Sequence, residues 1–262
     1  MTQINLNADM GESFGAYTMG ADDVLLDSVK SANIACGFHA GDPVVMQTTV
    51  KNALAKSVSL GAHPGFPDLQ GFGRRPMQMS INELYALMTY QVGALMGVAQ
   101  SNGGRVTHVK PHGALNNMAC EDSDMSDAIC KAVKDMDKDL IFLAPALSEL
   151  SAAAKRAGLC VAEEIFADRA YSDTGSLVNR KVKGSVIHDP ETCLNRVLDM
   201  IEKGGLVTVE GKVLPCDIHS ICVHGDTPAA CDTAAFILQG LKKNGLEVLS
   251  LEAMKASSSL GL

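Results

Sequence analysis

Seven short apolar runs alternate with helix-length segments along this chain, and that alternation restricts the fold more than any other feature. The runs are Ile4–Asp9, Ser31–Gly37, Ser59–His63, Arg105–Pro111, Asp139–Ala144, Leu159–Ala167 and Ile218–His224. They are rich in Val, Ile and Leu and end in Gly, Pro or a polar residue, as buried strands do. The intervening segments carry helix punctuation. Asp42-Pro43 and Asp189-Pro190 each set an N-cap before a proline at the first helical position, Thr227-Pro228 resembles them, and Ser80 with Glu83 forms a capping box. Gly103-Gly104, Gly158, Gly204-Gly205 and Gly245 stop helices. Strands joined by helical crossovers pair in parallel. Seven such units in 262 residues, with no linker between them, predict an α/β fold: one seven-stranded parallel β/α barrel covering residues 1–262. Val207–Asp217 reads as a small hairpin inserted before the last strand, with Glu210-Gly211 at its turn. The tail SSSLGL reads as frayed.

The net charge of −8 and the absence of a basic stripe argue against nucleic acid or an anionic membrane as the main partner. Leu84–Gly104 contains no charged residue, but Thr89, Tyr90, Gln91, Gln100, Ser101 and Asn102 interrupt it. It therefore predicts a helix buried on most sides, against the barrel and, in a homo-oligomer, against a partner, rather than a membrane span. None of the eight cysteines forms a C-x-x-C pair, and MTQINLNADMGES lacks the apolar run of a signal peptide. Both features predict free, mostly buried thiols in a reducing cytoplasm.

In such barrels the reactive residues gather where strands run into the following loops. Those junctions carry Asp9 and Glu12, His39 and Asp42, His63, the HVKPHGAL stretch, Asp168 with Arg169 and Arg180, and finally His224 with Asp226. Five of the seven histidines thus fall at one expected rim: His39, His63, His108, His112 and His224. Each taken alone fits a satisfied core or capping histidine equally well; their clustering raises the functional reading.

HVKPHGAL, His108–Leu115, places two histidines four residues apart. On a helix that spacing binds one metal ion. Here Gly103-Gly104 and the β-branched residues predict a strand, along which four residues span about 13 Å at ~3.3 Å each. Pro111 removes a ladder donor and ends the strand. His108 then reads as structural, Lys110 as lying inside the barrel mouth and His112 as sitting on its rim. A lysine so placed needs a counter-ion, for which Asp9 or Glu12 is the natural candidate. GAHPGFPDLQGFGRRP and HGDTP could cradle an anion with backbone N–H groups, but neither matches a nucleotide-binding loop.

LNADMGESFG, ANIACGFHAGDP, GAHPGFPDLQGFGRR, VKPHGAL, IFADRAYSDTGSLVNR and ICVHGDTP together resemble the LamB/YcsF family over nearly the whole chain. The resemblance implies a barrel related to those of polysaccharide deacetylases and some glycoside hydrolases. It implies 5-oxoprolinase activity, opening the lactam of 5-oxoproline to L-glutamate with ATP hydrolysis, together with partner subunits B and C. ATP is then expected mainly on those partners. The chain departs from the family pattern at Asn116, where tyrosine is usual, and at Asn179, where proline is usual. From motif matches and rim position, the candidate catalytic residues are Asp9, Glu12, His39, His63, Lys110 and His112, with His112 or His63 as the base. The candidate substrate- or anion-binding residues are Asp42, Asp168, Arg169, Arg180, His224 and Asp226. A second reading is a metal-dependent amide hydrolase acting alone, with Asp9, His39 and His63 holding zinc. Against it, Asp9 is followed by Met10 rather than a second aspartate, and no helical H-x-x-x-H is present. A third reading is a non-catalytic binding subunit. Whether a divalent metal is bound stays open at this point.

Overall fold

A computed structural model describes residues 2–224 and 228–260. Asp226, and the Thr227 that was expected to begin the last long helix, lie outside the described residues. The strands are β1 (Gln3–Met10), β2 (Ser31–Ala35), β3 (Ser59–His63), β4 (Val106–Val109), β5 (Ile141–Pro145), β6 (Cys160–Phe166), β7 (Gly205–Val207), β8 (Val213–Pro215), β9 (Ser220–Val223) and β10 (Glu247–Val248). The helices are α1 (Asp22–Leu25), α2 (Pro43–Ala55), α3 (Ile81–Ser101), α4 (Gly113–Ala119), α5 (Ser123–Met136), α6 (Glu149–Ala157), α7 (Pro190–Lys203), α8 (Pro228–Lys243) and α9 (Leu251–Ala256).

Strands β1 to β6 pair in parallel in chain order, β6 pairs with β9, and β9 returns to β1. The result is a closed barrel of seven parallel strands. β7 and β8 form an antiparallel hairpin before β9, and Gly211 at its turn has φ +81. β10 adds a short parallel rung to Gln3 and Ile4, below the point where β9 joins β1. This two-residue strand is too short for any periodicity to reveal.

The helix signals act where the residues suggested. Asp42 accepts from Val44 N–H and Val45 N–H at the start of α2, and Asp189 caps α7 at Thr192 N–H. Ser80 and Glu83 complete the capping box of α3. Gly158 and Gly204 end α6 and α7 in the left-handed conformation. The uncharged stretch forms α3, but only one stripe of it is buried, through Leu84, Leu87, Met88, Gln91, Val92, Leu95 and Ala99. Tyr90 on the opposite side is 65% exposed. The expectation of burial on most sides is thus corrected: uncharged small and amide residues lie on the solvent face as readily as in the core. No helix among the described residues is long and apolar enough to cross a membrane.

The main core lies between the barrel wall and the surrounding helices, where Leu6, Ile34, Leu60, Val109, Phe142 and Ile221 meet the helical stripes. A second, smaller core fills the amino-terminal end of the barrel. There Ile141, Leu143, Cys160 and Ala162 pack on Leu251, Met254 and Leu260. α9 and the residues after it therefore plug the barrel. Ser257 and Ser259 both donate to Gln3 Oε1, and Leu260 is buried, so the tail is packed through residue 260 rather than frayed. All eight cysteines are free, and six of them are buried.

A Cβ at Gly61 would overlap the His108 imidazole, which is held inside the barrel by neighbouring side chains. Gly61→Ala is expected to destabilise by about 3 kcal/mol or more, through overpacking with no direction of relief. Gly158→Ala meets no neighbour and carries only the left-handed backbone penalty, about 1–2 kcal/mol. Urea denaturation midpoints of the two variants test this ranking.

Candidate active site

Inside the barrel the polar residues follow a period of two. β1 directs Asn5, Asn7 and Asp9 inward while Ile4, Leu6 and Ala8 join the outer core. Ser31 and Asn33 on β2, His108 on β4 with Lys110 just beyond it, Glu164 on β6 and Ser220 with Cys222 on β9 complete this interior. The groups form one connected ladder. Ser220 Oγ donates to Asn5 Oδ1 (2.6 Å), and Asn7 Nδ2 donates to Ser220 Oγ (2.8 Å). Asn33 Nδ2 donates to Asn7 Oδ1 (2.8 Å) and Asp9 Oδ1 (2.9 Å). His108 Nε2 donates to Asn33 Oδ1 (3.0 Å). Such a barrel interior is stable only because nearly every buried polar group has a partner.

Lys110 stands at the top of this ladder, 4% exposed. Its ammonium lies 3.1 Å from Asp9 Oδ1, 2.9 Å from Glu164 Oε2 and 3.3 Å from Cys222 Sγ. Burial alone would lower the Lys110 pKa, but Asp9, Cys222 and Glu164 hold it well above its usual value. Burial alone would raise Asp9, yet neighbouring His63 and Lys110 carry it well below the usual carboxylate range. Burial raises Glu164, and Lys110 offsets this only in part. Of the two suggested counter-ions, Asp9 pairs with Lys110; Glu12 instead faces imidazoles. Glu164 was missed, although a second acid in the middle of CVAEEIF, on an otherwise apolar strand, is a signal that could have found it.

Above Lys110 the end of β3 and the neighbouring loops bring His63, His39, His112 and Glu12 together. His39 Nε2 lies 3.2 Å from Glu12 Oε1, and His112 Nδ1 lies 3.6 Å from the same oxygen. His63 Nε2 lies 3.0 Å from His112 Nδ1 and 3.3 Å from Asp9 Oδ2. His39 and His112 stack with ring centroids 3.7 Å apart, and His63 stands perpendicular to both. One donor atom from each of these four residues lies within 4.8 Å of every other, which is the spacing of a metal-binding cluster. Burial, with help from His63, lowers His112 to about 3, and burial followed by the neighbouring imidazoles lowers His39 well below its usual value.

Backbone conformation holds the cluster. His112 is the N-cap residue of α4 and its Nε2–H donates to the Phe72 carbonyl (2.8 Å). Phe72 has φ +54, a strained conformation for a bulky residue, and strain of this kind collects at functional sites. Gly73 (φ +63) follows it because a Cβ there would press on both His39 and His112. Gln91 of α3 clamps the loop after His63, accepting from Gly65 N–H and donating to the Gly65 carbonyl.

A cavity of about 480 Å³ opens over these groups. Asp9, Glu12, His63, Lys110 and His112 line it from below, and Arg74, Arg169, Arg180 and His224 line it at the rim. His224 Nδ1 lies 2.7 Å from Asp168 Oδ2; burial opposes the charge on His224, but Asp168 raises its pKa. Asp168 therefore supports His224 rather than lining the cavity itself. Asp42 is also absent from the lining, its carboxylate being used by α2 and by Gly15 N–H. His108 is buried below the site and kept neutral, as a structural role requires.

The LamB/YcsF family model matches residues 4–256. The chain belongs to the LamB/YcsF family. It is 58% identical to the 5-oxoprolinase A-subunit of Azoarcus sp. (strain BH72), over 97% of this chain and 99% of that one. It is 48% identical to the A-subunit of Nitrobacter hamburgensis, over 96% and 99%. The lactam utilization protein of Thermus thermophilus superimposes with a TM-score of 0.90 at 41% identity, over 95% of this chain and 100% of that chain. The peptidoglycan deacetylase PdaC of Bacillus subtilis, at 15% identity, 98% and 92% coverage and a TM-score of 0.51, shares the fold alone. Both departures from the family pattern, Asn116 and Asn179, line the cavity, and Asn116 Oδ1 is buried there without a partner.

Removing one member of a buried ion cluster leaves the others uncompensated. Lys110→Met is expected to destabilise by roughly 3–5 kcal/mol at neutral pH, with a smaller deficit at acid pH, where Glu164, already raised by burial, can take up a proton. His108 gives a second pH dependence. Burial first, then Lys110 and His63, lower it from 6.5 to about 3. The folded chain thus binds fewer protons than the unfolded chain below pH 6.5. The stability that follows is full above pH 6.5 and is lost as pH falls towards 3, by up to about 1.4 kcal/mol per pH unit. Stability–pH curves from denaturant titration are expected to show a shallower acid limb for His108→Gln than for the parent.

Proposed function

We propose that the chain is the lactam-opening subunit of an ATP-dependent 5-oxoprolinase of the cytoplasm, acting with subunits B and C on 5-oxo-L-proline. The observation that carries this reading is the pairing of two chemistries in one cavity: fixed cations at the floor and rim, and an imidazole–carboxylate cluster between them. Full-length identity to relatives named as 5-oxoprolinase A-subunits supports it. A substrate that is both a cyclic amide and a carboxylate calls for this combination.

Arg169 and Arg180 suit the substrate carboxylate or a phosphate, since a planar guanidinium pairs with either through two parallel hydrogen bonds. Lys110, kept charged by Asp9 and Glu164, suits the amide oxygen or the negative charge that develops on it. A preorganised cation in a water-poor cavity acts without reorganising as the charge forms. In the proposed sequence, ATP transfers its terminal phosphoryl group to the lactam oxygen and ADP departs. Water then adds to the activated carbon, and the C–N bond breaks as the nitrogen takes up a proton, leaving the side-chain carboxyl phosphate. A second water cleaves that mixed anhydride, giving glutamate and phosphate. The Glu12–His63–His112 cluster, with Asp9 beside it, is where the attacking water loses its proton. ATP is held mainly by the partner subunits in this reading.

The Glu12–imidazole cluster also favours a second reading, in which the chain hydrolyses an amide unaided. Glutamate release from 5-oxoproline separates the two. We expect release only when this chain, both partners and ATP are combined, and a fall of at least 100-fold with Lys110→Met in a folded assembly. Equal release by the partners alone would remove the chain from catalysis, and release by the chain without ATP would replace the first reading with the second.

A further inference from the structure

We propose that Glu12, His63 Nε2 and His112 Nδ1 bind one divalent transition-metal ion of the zinc class, and that His39 is a positioning residue for Glu12 rather than a ligand.

Two backbone carbonyl groups fix the tautomers of the ligating rings. His63 Nδ1 lies 2.7 Å from the Lys110 carbonyl, and His112 Nε2 lies 2.8 Å from the Phe72 carbonyl. A carbonyl oxygen carries no proton, so each of these ring nitrogens must be the N–H. In the neutral rings the other two nitrogens, His63 Nε2 and His112 Nδ1, are therefore bare lone pairs. They face each other at 3.0 Å, with the Glu12 carboxylate 3.6 Å from one of them. Two lone pairs and an anion directed at one point repel unless a cation joins them. Histidines that ligate metals characteristically donate their second N–H to a backbone carbonyl or carboxylate, as both do here.

The spacing suits a metal ion. Four donors arranged tetrahedrally at ~2.1 Å from zinc stand about 3.4 Å from one another. The separations of 3.0 and 3.6 Å bracket that value. Two imidazoles and one carboxylate favour zinc, cobalt or nickel over magnesium or calcium, which prefer all-oxygen sets. A three-residue set leaves a coordination position open, as in sites where zinc lowers the pKa of bound water.

His39 belongs to the cluster but not to this set. Its ring lies parallel to His112, with an interplanar angle of 4° and centroids 3.7 Å apart. A ring nitrogen binds a metal in the plane of its ring, and one ion cannot lie in two separated parallel planes. The second nitrogen of His39 has no acceptor, being packed against Gly65. The N–H of neutral His39 is thus best used at Nε2, donating to Glu12 and aiming the carboxylate. The set differs from the Asp9, His39 and His63 considered from sequence: Asp9 bridges Lys110 through Oδ1 and His63 Nε2 through Oδ2 and is not among the four clustered donors, and His112 and Glu12 take the places of Asp9 and His39.

The ion site rests on this geometry, and only the chemistry that an ion would supply rests on the proposed lactam-opening activity. Metal binding is therefore measured on the chain alone. Chelator-treated protein, with its fold checked by circular dichroism, is titrated with zinc against a chromophoric competitor and with cobalt(II) by visible absorption. We expect one equivalent of zinc, and a cobalt spectrum of four-coordinate intensity. Glu12→Gln and His112→Gln are each expected to weaken zinc by roughly 100-fold or more. His39→Leu is expected to weaken it about 10–100-fold, whereas His39→Gln, which can still donate to Glu12, restores most of the affinity. If His112→Gln fails to fold, the parent's cobalt spectrum and Glu12→Gln decide the matter. No zinc bound at micromolar concentration, or equal affinity in Glu12→Gln, would overturn the site. Loss of zinc binding with glutamate release intact would leave the activity standing without the metal; the reverse would leave the metal without that activity.

Discussion

The ion cluster of Lys110 with Asp9 and Glu164 is the constraint around which the barrel is organised. An ammonium removed from water carries a penalty of several kcal/mol unless opposite charges and hydrogen bonds surround it. Three strands supply that environment, β1 through Asp9, β6 through Glu164 and β9 through Cys222, around the extension of β4. These strands are far apart in the chain and meet only because the barrel closes. Closure and charge compensation therefore depend on each other. The amide ladder below, from Asn33 through Asn7 and Ser220 to Asn5, carries the same requirement downward to the apolar plug under α9.

The imidazole cluster rests on this base. Asp9 links the two, touching Lys110 with one carboxylate oxygen and His63 with the other. The Lys110 carbonyl fixes the His63 ring, so one residue supplies both the buried charge and the orientation of the neighbouring histidine. On the other side the strained Phe72 backbone fixes His112. The cavity thus has a rigid floor on strand ends and a rim of longer loops carrying Arg74, Arg169 and Arg180. Rigid donors below and cations above suit a site that must hold a small anionic substrate while its charge changes.

Much of this is legible in the residues. The seven strands, the capping box and the proline-led helices follow local rules of backbone geometry, and each lies within a few residues of its expected place. The placement of Lys110 inside the barrel mouth, of His63 and His112 at strand ends beside it, and of His108 deeper in the barrel follows from strand geometry and Pro111. The interior was legible too, but less directly. The alternation of Asn5, Asn7 and Asp9 with Ile4, Leu6 and Ala8 marks a strand with one polar and one apolar face. The pattern does not say which face the barrel encloses, because polar faces of strands usually meet water. Glu164 was hidden for the same reason, an acid in a strand being ordinarily a solvent-facing one.

The residues alone determined the alternation of elements, their boundaries and the set of chemically competent side chains, because these depend on neighbours within a turn or two of the chain. Tertiary structure decided which of those side chains act together. Glu12 turned to the imidazoles instead of Lys110, Asp42 was taken by a helix terminus, and Glu164 entered from a strand far along the chain from Lys110. Such choices are made by distances of about 3 Å between groups on different strands. Those distances exist only after the sheet has closed on itself.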